Sequence, residues 1–210
     1  MQISKRGLSE RQVQTMTDLA DQQLRSRLLE ASAPQRADLL IDYFTTHGGE
    51  HYEEEVTQLE HALQTATLAR TAGSDSDVVC GALLHDLGHL LVGQQTAAGD
   101  FYHEEVAAEY LQSFFGRDVT EPIRLHVPAK RYLCTTDPAY FDGMSDASKK
   151  SFLVQGGNMS AEELAQLEAS PYLEAALRLR RWDDGGKVCG LKTLAIDDFR
   201  ADLVKSLQKG

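Results

Sequence analysis

Apolar residues recur at helical spacing along almost the whole chain, and strand-like alternation is absent. Between residues 8 and 31 the apolar marks are Leu19, Leu24, Leu28 and Leu29 in a polar stretch, which predicts an amphipathic helix. Ser32-Ala33-Pro34-Gln35 has the form of a capping box with proline in the first turn. It predicts a helix to about His47 that Gly48-Gly49 ends. Val56, Leu59, Ala62, Leu63, Ala66 and Ala69 keep the spacing of a half-buried helix over 53–72, and Gly73 stops it. Asp75 or Ser76 can cap the next helix, which carries the apolar run Val78-Val79-Cys80-Gly81-Ala82-Leu83-Leu84.

Residues 94–100 are small and polar and read as a surface loop. His103 opens another helix, ended by Gly116. Thr120-Glu121-Pro122 starts a short helix carrying His126, and Pro128 separates it from 129–133. Ser145 caps a helix to about Val154, broken by Gln155-Gly156-Gly157. Ser160 caps the next, with Glu162 and Glu163 suited to its positive end. Pro171 starts a helix that reaches Trp182-Asp183-Asp184 before Gly185-Gly186, and 197–207 form a last amphipathic helix. The expected architecture is all-α: a single helical bundle over 32–210, with an N-terminal helical segment, 1–31, packed on it.

With 210 residues, 42% of them hydrophobic, the chain suits one well-buried domain. A formal charge of −11 argues against a general nucleic-acid binder or a binder of anionic membranes. A small anionic ligand is compatible with it, because a few basic side chains can converge in one pocket. No apolar run is long enough to span a membrane and no signal-peptide pattern opens the chain, so a cytoplasmic location is expected. Cys80, Cys134 and Cys189 are odd in number and form no CxxC, and read as reduced thiols. Nothing in the sequence specifies an oligomeric state.

The chemistry lies in the histidines. His85-Asp86 ends the apolar run, with His61 upstream, His103 and His126 downstream, and Asp183-Asp184 much later. This is the order of a metal-binding HD domain. Six ligands exceed what one catalytic ion needs, so the count points to a two-metal site. Imidazole and carboxylate donors suit Fe, Mn, Zn or Ni. His85 and Asp86 are about 100° apart on a helical wheel and cannot both aim at one ion from a regular helix. Either the helix ends there, or Asp86 bridges two ions while His85 serves one. Asp183 and Asp184 compete for the last place. His47 and His51 fall outside the pattern and read as surface residues.

Six phrases together resemble one branch of HD domains: QLEHALQTA at 58–66, ALLHDLGH at 82–89, HVPAKRYL at 126–133, SDASKKS at 145–151, QGGNMS at 155–160 and RLRRWDD at 178–184. The chain resembles the HD-domain diiron oxygenases of phosphonate catabolism, relatives of myo-inositol oxygenase, over about 52–192. The resemblance implies a mixed-valent Fe(II)/Fe(III) pair held by His61, His85, Asp86, His103, His126 and Asp183, with Asp86 bridging and O2 as co-substrate. It implies that His89, Lys130, Ser148 and Arg180 grip the phosphonate; a guanidinium fork and an ammonium suit that anion. It also places a mobile tyrosine and a glutamate ahead of the first metal histidine, for which Tyr52 and Glu54 are the matching residues.

The activity so implied is oxidative cleavage of the C–P bond in a 1-hydroxy-2-(amino or trimethylammonio)ethylphosphonate, giving phosphate and glycine or glycine betaine. Glu54 could receive the cationic end, and Tyr132, Tyr140 and Phe141 are possible aromatic walls. The alternative is a metal-dependent phosphohydrolase acting on nucleotides. It would need only His61, His85, Asp86 and Asp183, leaving His103 and His126 as extra.

Overall fold

The computed structural model describes residues 22–51, 55–92 and 102–207. The predicted loop at 94–100 and the segment 1–21 lie outside them, as do Tyr52 and Glu54. Helices follow one another throughout: α1 (22–30), α2 (Ala33–His47), α3 (Gln58–Thr71), α4 (Ser76–Leu84), α5 (Leu87–Val92), α6 (His103–Leu111) and α7 (Arg117–Thr136). After them come α8 (Pro138–Gly143), α9 (Asp146–Val154), α10 (Ala161–Glu168), α11 (Leu173–Gly185), a 3-10 turn at Ile196–Phe199 and α12 (Arg200–Leu207). Among the described residues the sole β feature is a bridge between His51 and Thr57. The fold is all-α, as the periodicity predicts.

α4 is the centre. Every residue of it except Val78 is buried, and it packs on α3, α7, α11 and α12. A helix apolar on all sides belongs inside a bundle. Its own Leu83 and Leu84 pack with Leu87, Leu111, Ile123, Leu179 and Leu203 in one core, nearly inaccessible to water. Each such leucine contributes about 1.5–3 kcal/mol relative to an exposed one. Leu24 and Leu28 of α1 join this core. A second, smaller cluster of Cys134, Met144 and Phe152, with Tyr140 and Phe141 against it, ties α8 and α9 to the end of α7.

Three elements differ from expectation. α3 starts at Gln58 rather than 53, because Thr57 and Glu60 form a capping box: Thr57 N donates to Glu60 Oε2 at 2.8 Å and Glu60 N to Thr57 Oγ1 at 3.2 Å. Residues 117–136 are one helix despite Pro122 and Pro128. An interior proline costs about 3 kcal/mol, but α7 lays a continuous face, Val119, Ile123, Val127 and Leu133 among it, against α4, α6 and α11. That burial outweighs the two lost amide bonds. The third is α8, which no periodicity announces; Asp137 Oδ1 caps it, accepting from Ala139 N at 3.0 Å.

Candidate metal centre and anion cluster

His85-Asp86 sits in the break between α4 and α5. The helix end therefore frees both side chains to face one cavity, which a continuous helix would forbid. Gly88 lets α5 meet the start of α6, since a Cβ there would collide with the backbone carbonyl of His103. His61 comes from the first turns of α3, His126 from the middle of α7 and Asp183 from the last turn of α11. His61, His85, Asp86, His103, His126 and Asp183 are all buried.

Asp86 stands between two pairs of imidazoles. Its Oδ2 lies 3.4 Å from both His61 Nε2 and His85 Nε2. Its Oδ1 lies 3.4 Å from His103 Nε2 and 3.7 Å from His126 Nε2. Within each pair the two Nε2 atoms are 3.1 Å apart. Asp183 joins the first pair only, with Oδ1 3.3 Å from His61 Nε2 and Oδ2 3.9 Å from His85 Nε2. Three trios of donor atoms could each hold an ion: His61, His85 and Asp183; His85, Asp86 and His126; Asp86, His89 and His103.

The tautomers fit cation binding. Nδ1 of His61 donates to Gly186 O at 2.9 Å, that of His85 to Ala82 O at 2.9 Å and that of His126 to Ile123 O at 2.7 Å. Each ring then presents an Nε2 lone pair to the centre, the usual way a backbone carbonyl orients a ligating histidine. For His61 and His85, whose Nε2 atoms are 3.1 Å apart, two such lone pairs repel unless a proton or a metal cation lies between them. Burial lowers His85, takes His126 down to about 3 and holds His103 well below its ordinary value, so these rings are neutral. Burial also opposes charge on His61, but its hydrogen bonds to Asp183 and Asp86 outweigh it and raise the ring to about 9. A proton there occupies the place of an ion. For Asp183, burial is overcome by Arg180 and Lys187, which keep the carboxyl ionised. The donor set, neutral nitrogens and ionised oxygens with no thiolate, suits Fe, Mn, Zn or Ni.

Beside this centre lies a cluster of cations. Arg180 donates from Nη1 to Asp183 Oδ2 at 2.6 Å and from Nη2 to Asp184, whose other oxygen accepts from Tyr140 Oη. Lys130 is buried and donates to Ser151 Oγ at 2.9 Å. Burial, with the nearby Arg180, brings its ammonium down to about 7. Ser148 is buried on the same face of α9, and Lys187 Nζ lies 3.4 Å from its Oγ. His89, expected at the anion site, stacks instead against the metal centre, on His103 with ring centroids 4.1 Å apart.

Asp183, not Asp184, turns to the histidines. Of the expected aromatic walls, Tyr140 is engaged by Asp184, Phe141 packs edge-on against Phe152, and Tyr132 reaches Glu168 at the surface. His47 and His51 are exposed, as expected. Sequence reasoning missed Ser151 and Lys187. Ser151 is three residues after Ser148, on the same helical face. Lys187 is four after Asp183, a relation hidden by the intervening Gly185-Gly186.

Residues 59–183 match the family described as HD domain. The chain is 44% identical over 185 residues to the hydroxymethylphosphonate dioxygenase of Gimesia maris, a match spanning 86% of this chain and 92% of that protein. It is 43% identical over 155 residues to the glycine-betaine-forming [1-hydroxy-2-(trimethylamino)ethyl]phosphonate dioxygenase of Leisingera caerulea, spanning 71% of this chain and 79% of that one. An uncharacterized protein of Acanthamoeba polyphaga mimivirus is 35% identical over 182 residues, 83% of each chain. Among the described residues no helix is long and apolar enough to cross a membrane.

Proposed function

The chain belongs to the HD-domain family of phosphonate oxygenases, and from that premise we propose that it uses O2 to cleave the C–P bond of a 1-hydroxyphosphonate. One observation carries this beyond the relatives' names. A buried cluster of Lys130, Arg180 and Ser148 converges beside a centre of four imidazoles and two carboxylates. A phosphohydrolase leaves His103 and His126 idle, whereas both rings here face Asp86 Oδ1.

His61, His85 and Asp183 would hold one iron and His103 and His126 the other, with Asp86 shared between them. When bound, such a pair supplies the one-electron chemistry that lets O2 react with a closed-shell C–H bond. The protein's own residues set the geometry. Arg180 and Lys130 neutralise the phosphonate, and Ser148 and His89 fix its rotation, so that the C1–H bond is held toward the metal centre. Burial of these groups excludes bulk water and strengthens their grip. Tyr52 and Glu54 lie outside the described residues; by the family resemblance Tyr52 would guard the metal centre until substrate arrives and Glu54 would receive an ammonium group where the substrate has one.

The overall balance is one substrate dianion and one O2 to a carboxylate, hydrogen phosphate and a proton. The C1 substituent decides the product: glycine from an aminomethyl group, glycine betaine from a trimethylammoniomethyl group, formate from hydrogen alone. The test is phosphate release by iron-loaded protein from these three 1-hydroxyphosphonates, with and without O2. Release that requires O2 and yields the matching carboxylate supports the proposal. Release that persists under nitrogen, or none from any of the three, overturns it. EPR of partly oxidised protein examines the iron pair separately: a coupled mixed-valent signal is expected.

A further inference from the structure

One more ammonium group reaches the anion cluster. Lys187 Nζ lies 3.5 Å from Asp183 Oδ1 and 3.4 Å from Ser148 Oγ, and its side chain is largely buried. We propose that Lys187 is a third cationic residue of the phosphonate site, gripping the anion from the segment after α11 while Lys130 grips it from α7. This rests on the proposed function and completes its anion-binding end.

Three observations support it. First, the two lysines divide one face of α9 between them. Ser148 and Ser151 are one turn apart; Lys130 takes Ser151 and Lys187 takes Ser148. An anion lying over that face meets a hydroxyl and an ammonium at each end.

Second, Arg180 has little left to give. Its terminal nitrogens are engaged by Asp183 and Asp184, and the buried Nε is the atom without a hydrogen-bond partner. Lys130 and Arg180 alone are balanced by the carboxylates of Asp183 and Asp184. Lys187 adds a third positive charge to this cluster, which favours entry of a phosphonate dianion.

Third, the root of Lys187 is fixed. Gly186 O accepts from His61 Nδ1, and the backbone N and O of Val188 pair with the side-chain amide of Gln64 at 3.0 and 2.9 Å. A lysine anchored on both sides in this way keeps its ammonium near the cluster, a form of preorganisation.

The test uses iron-loaded Lys187→Met and Lys187→Arg, with inorganic phosphate as the probe in calorimetry under nitrogen. Lys187→Met should weaken phosphate binding and raise KM for the preferred 1-hydroxyphosphonate by about ten- to a hundredfold. Iron content should hold and kcat should stay within about threefold. Lys187→Arg should recover most of the phosphate affinity; if the Met variant fails to fold, the Arg variant and Lys187→Gln carry the comparison. Unchanged phosphate affinity at full iron content overturns the inference. So does a fall in iron content with phosphate affinity per loaded site unchanged, which would make Lys187 a counter-ion to Asp183 alone. Phosphate binding that depends on Lys187 in a protein whose turnover ignores O2 would overturn the oxygenase and leave this inference standing.

Discussion

The carbonyl oxygen of Gly186 accepts a hydrogen bond from Nδ1 of His61 at 2.9 Å. The two residues are far apart in sequence, and the contact joins the end of α11 to the start of α3. It fixes the tautomer of a ring whose other nitrogen faces Asp86 and Asp183. Only glycine fits: a Cβ at this position would stand 2.5 Å from Thr65 Oγ1 and 3.3 Å from His61 Nδ1. Gly186→Ala should therefore push the segment away from α3. We expect iron affinity to fall about 10–100-fold and stability to fall by about 1–3 kcal/mol. Metal analysis after dialysis against a weak chelator, and thermal melting of the metal-free protein, check the two parts.

Asp86 gives one oxygen to each pair of imidazoles, so the two halves of the centre should be separable. His126→Ala removes a donor only from the half that faces Oδ1. Iron content should drop from about two per chain toward one, and O2-dependent phosphate release should be lost. Asp86→Asn touches both halves, because a neutral amide oxygen replaces a shared carboxylate, and should lower iron content further than His126→Ala. Equal stoichiometry in wild type and both variants would contradict a shared carboxylate.

Asp184 rivals Asp183 for the metal centre by sequence, but its contacts give it another task. It holds Arg180 Nη2 and accepts from Tyr140 Oη. Asp184→Asn should loosen the guanidinium without touching a metal ligand. KM for the phosphonate should rise about fivefold or more, with kcat and iron content little changed. Tyr140→Phe should do the same more weakly, since it removes one hydrogen bond to Asp184 and leaves the carboxylate's charge in place. Loss of iron in Asp184→Asn would return Asp184 to the ligand set.

The parts of the site legible in the sequence are those that local pattern determines. His85-Asp86 follows an apolar run, and an apolar run that stops at two polar residues announces a buried helix end. The choice between Asp183 and Asp184 is different in kind. Both lie on the same turn of α11, and which of them meets His61 is decided by how α11 crosses α3. Pro122 and Pro128 mislead for the same reason: their local cost is real, but the packing of α7 exceeds it. Lys187 is hidden by a correct signal, since Gly185-Gly186 does end the helix, yet the chain after it stays pinned by Gln64.

Lys130 yields a pH test whose sign is fixed. Its ammonium is brought from 10.5 to about 7 by burial first and Arg180 second. In the unfolded chain it stays protonated to about 10.4. The folded state therefore binds fewer protons between these values, and stability of the free protein rises with pH across that window. Below about 7 both states carry the charge, and its burial costs the fold on the order of a few kcal/mol. Lys130→Met should thus be more stable than wild type at pH 6 in chelator-treated protein. The gap should shrink as pH rises from 7 to 10.5. If Lys130 grips the anion as proposed, the same variant should also bind inorganic phosphate more weakly. Denaturant melts at pH 6 and 9, with and without phosphate, measure both effects. A Lys130→Met protein less stable than wild type at pH 6 would show that the stem's packing outweighs the buried charge.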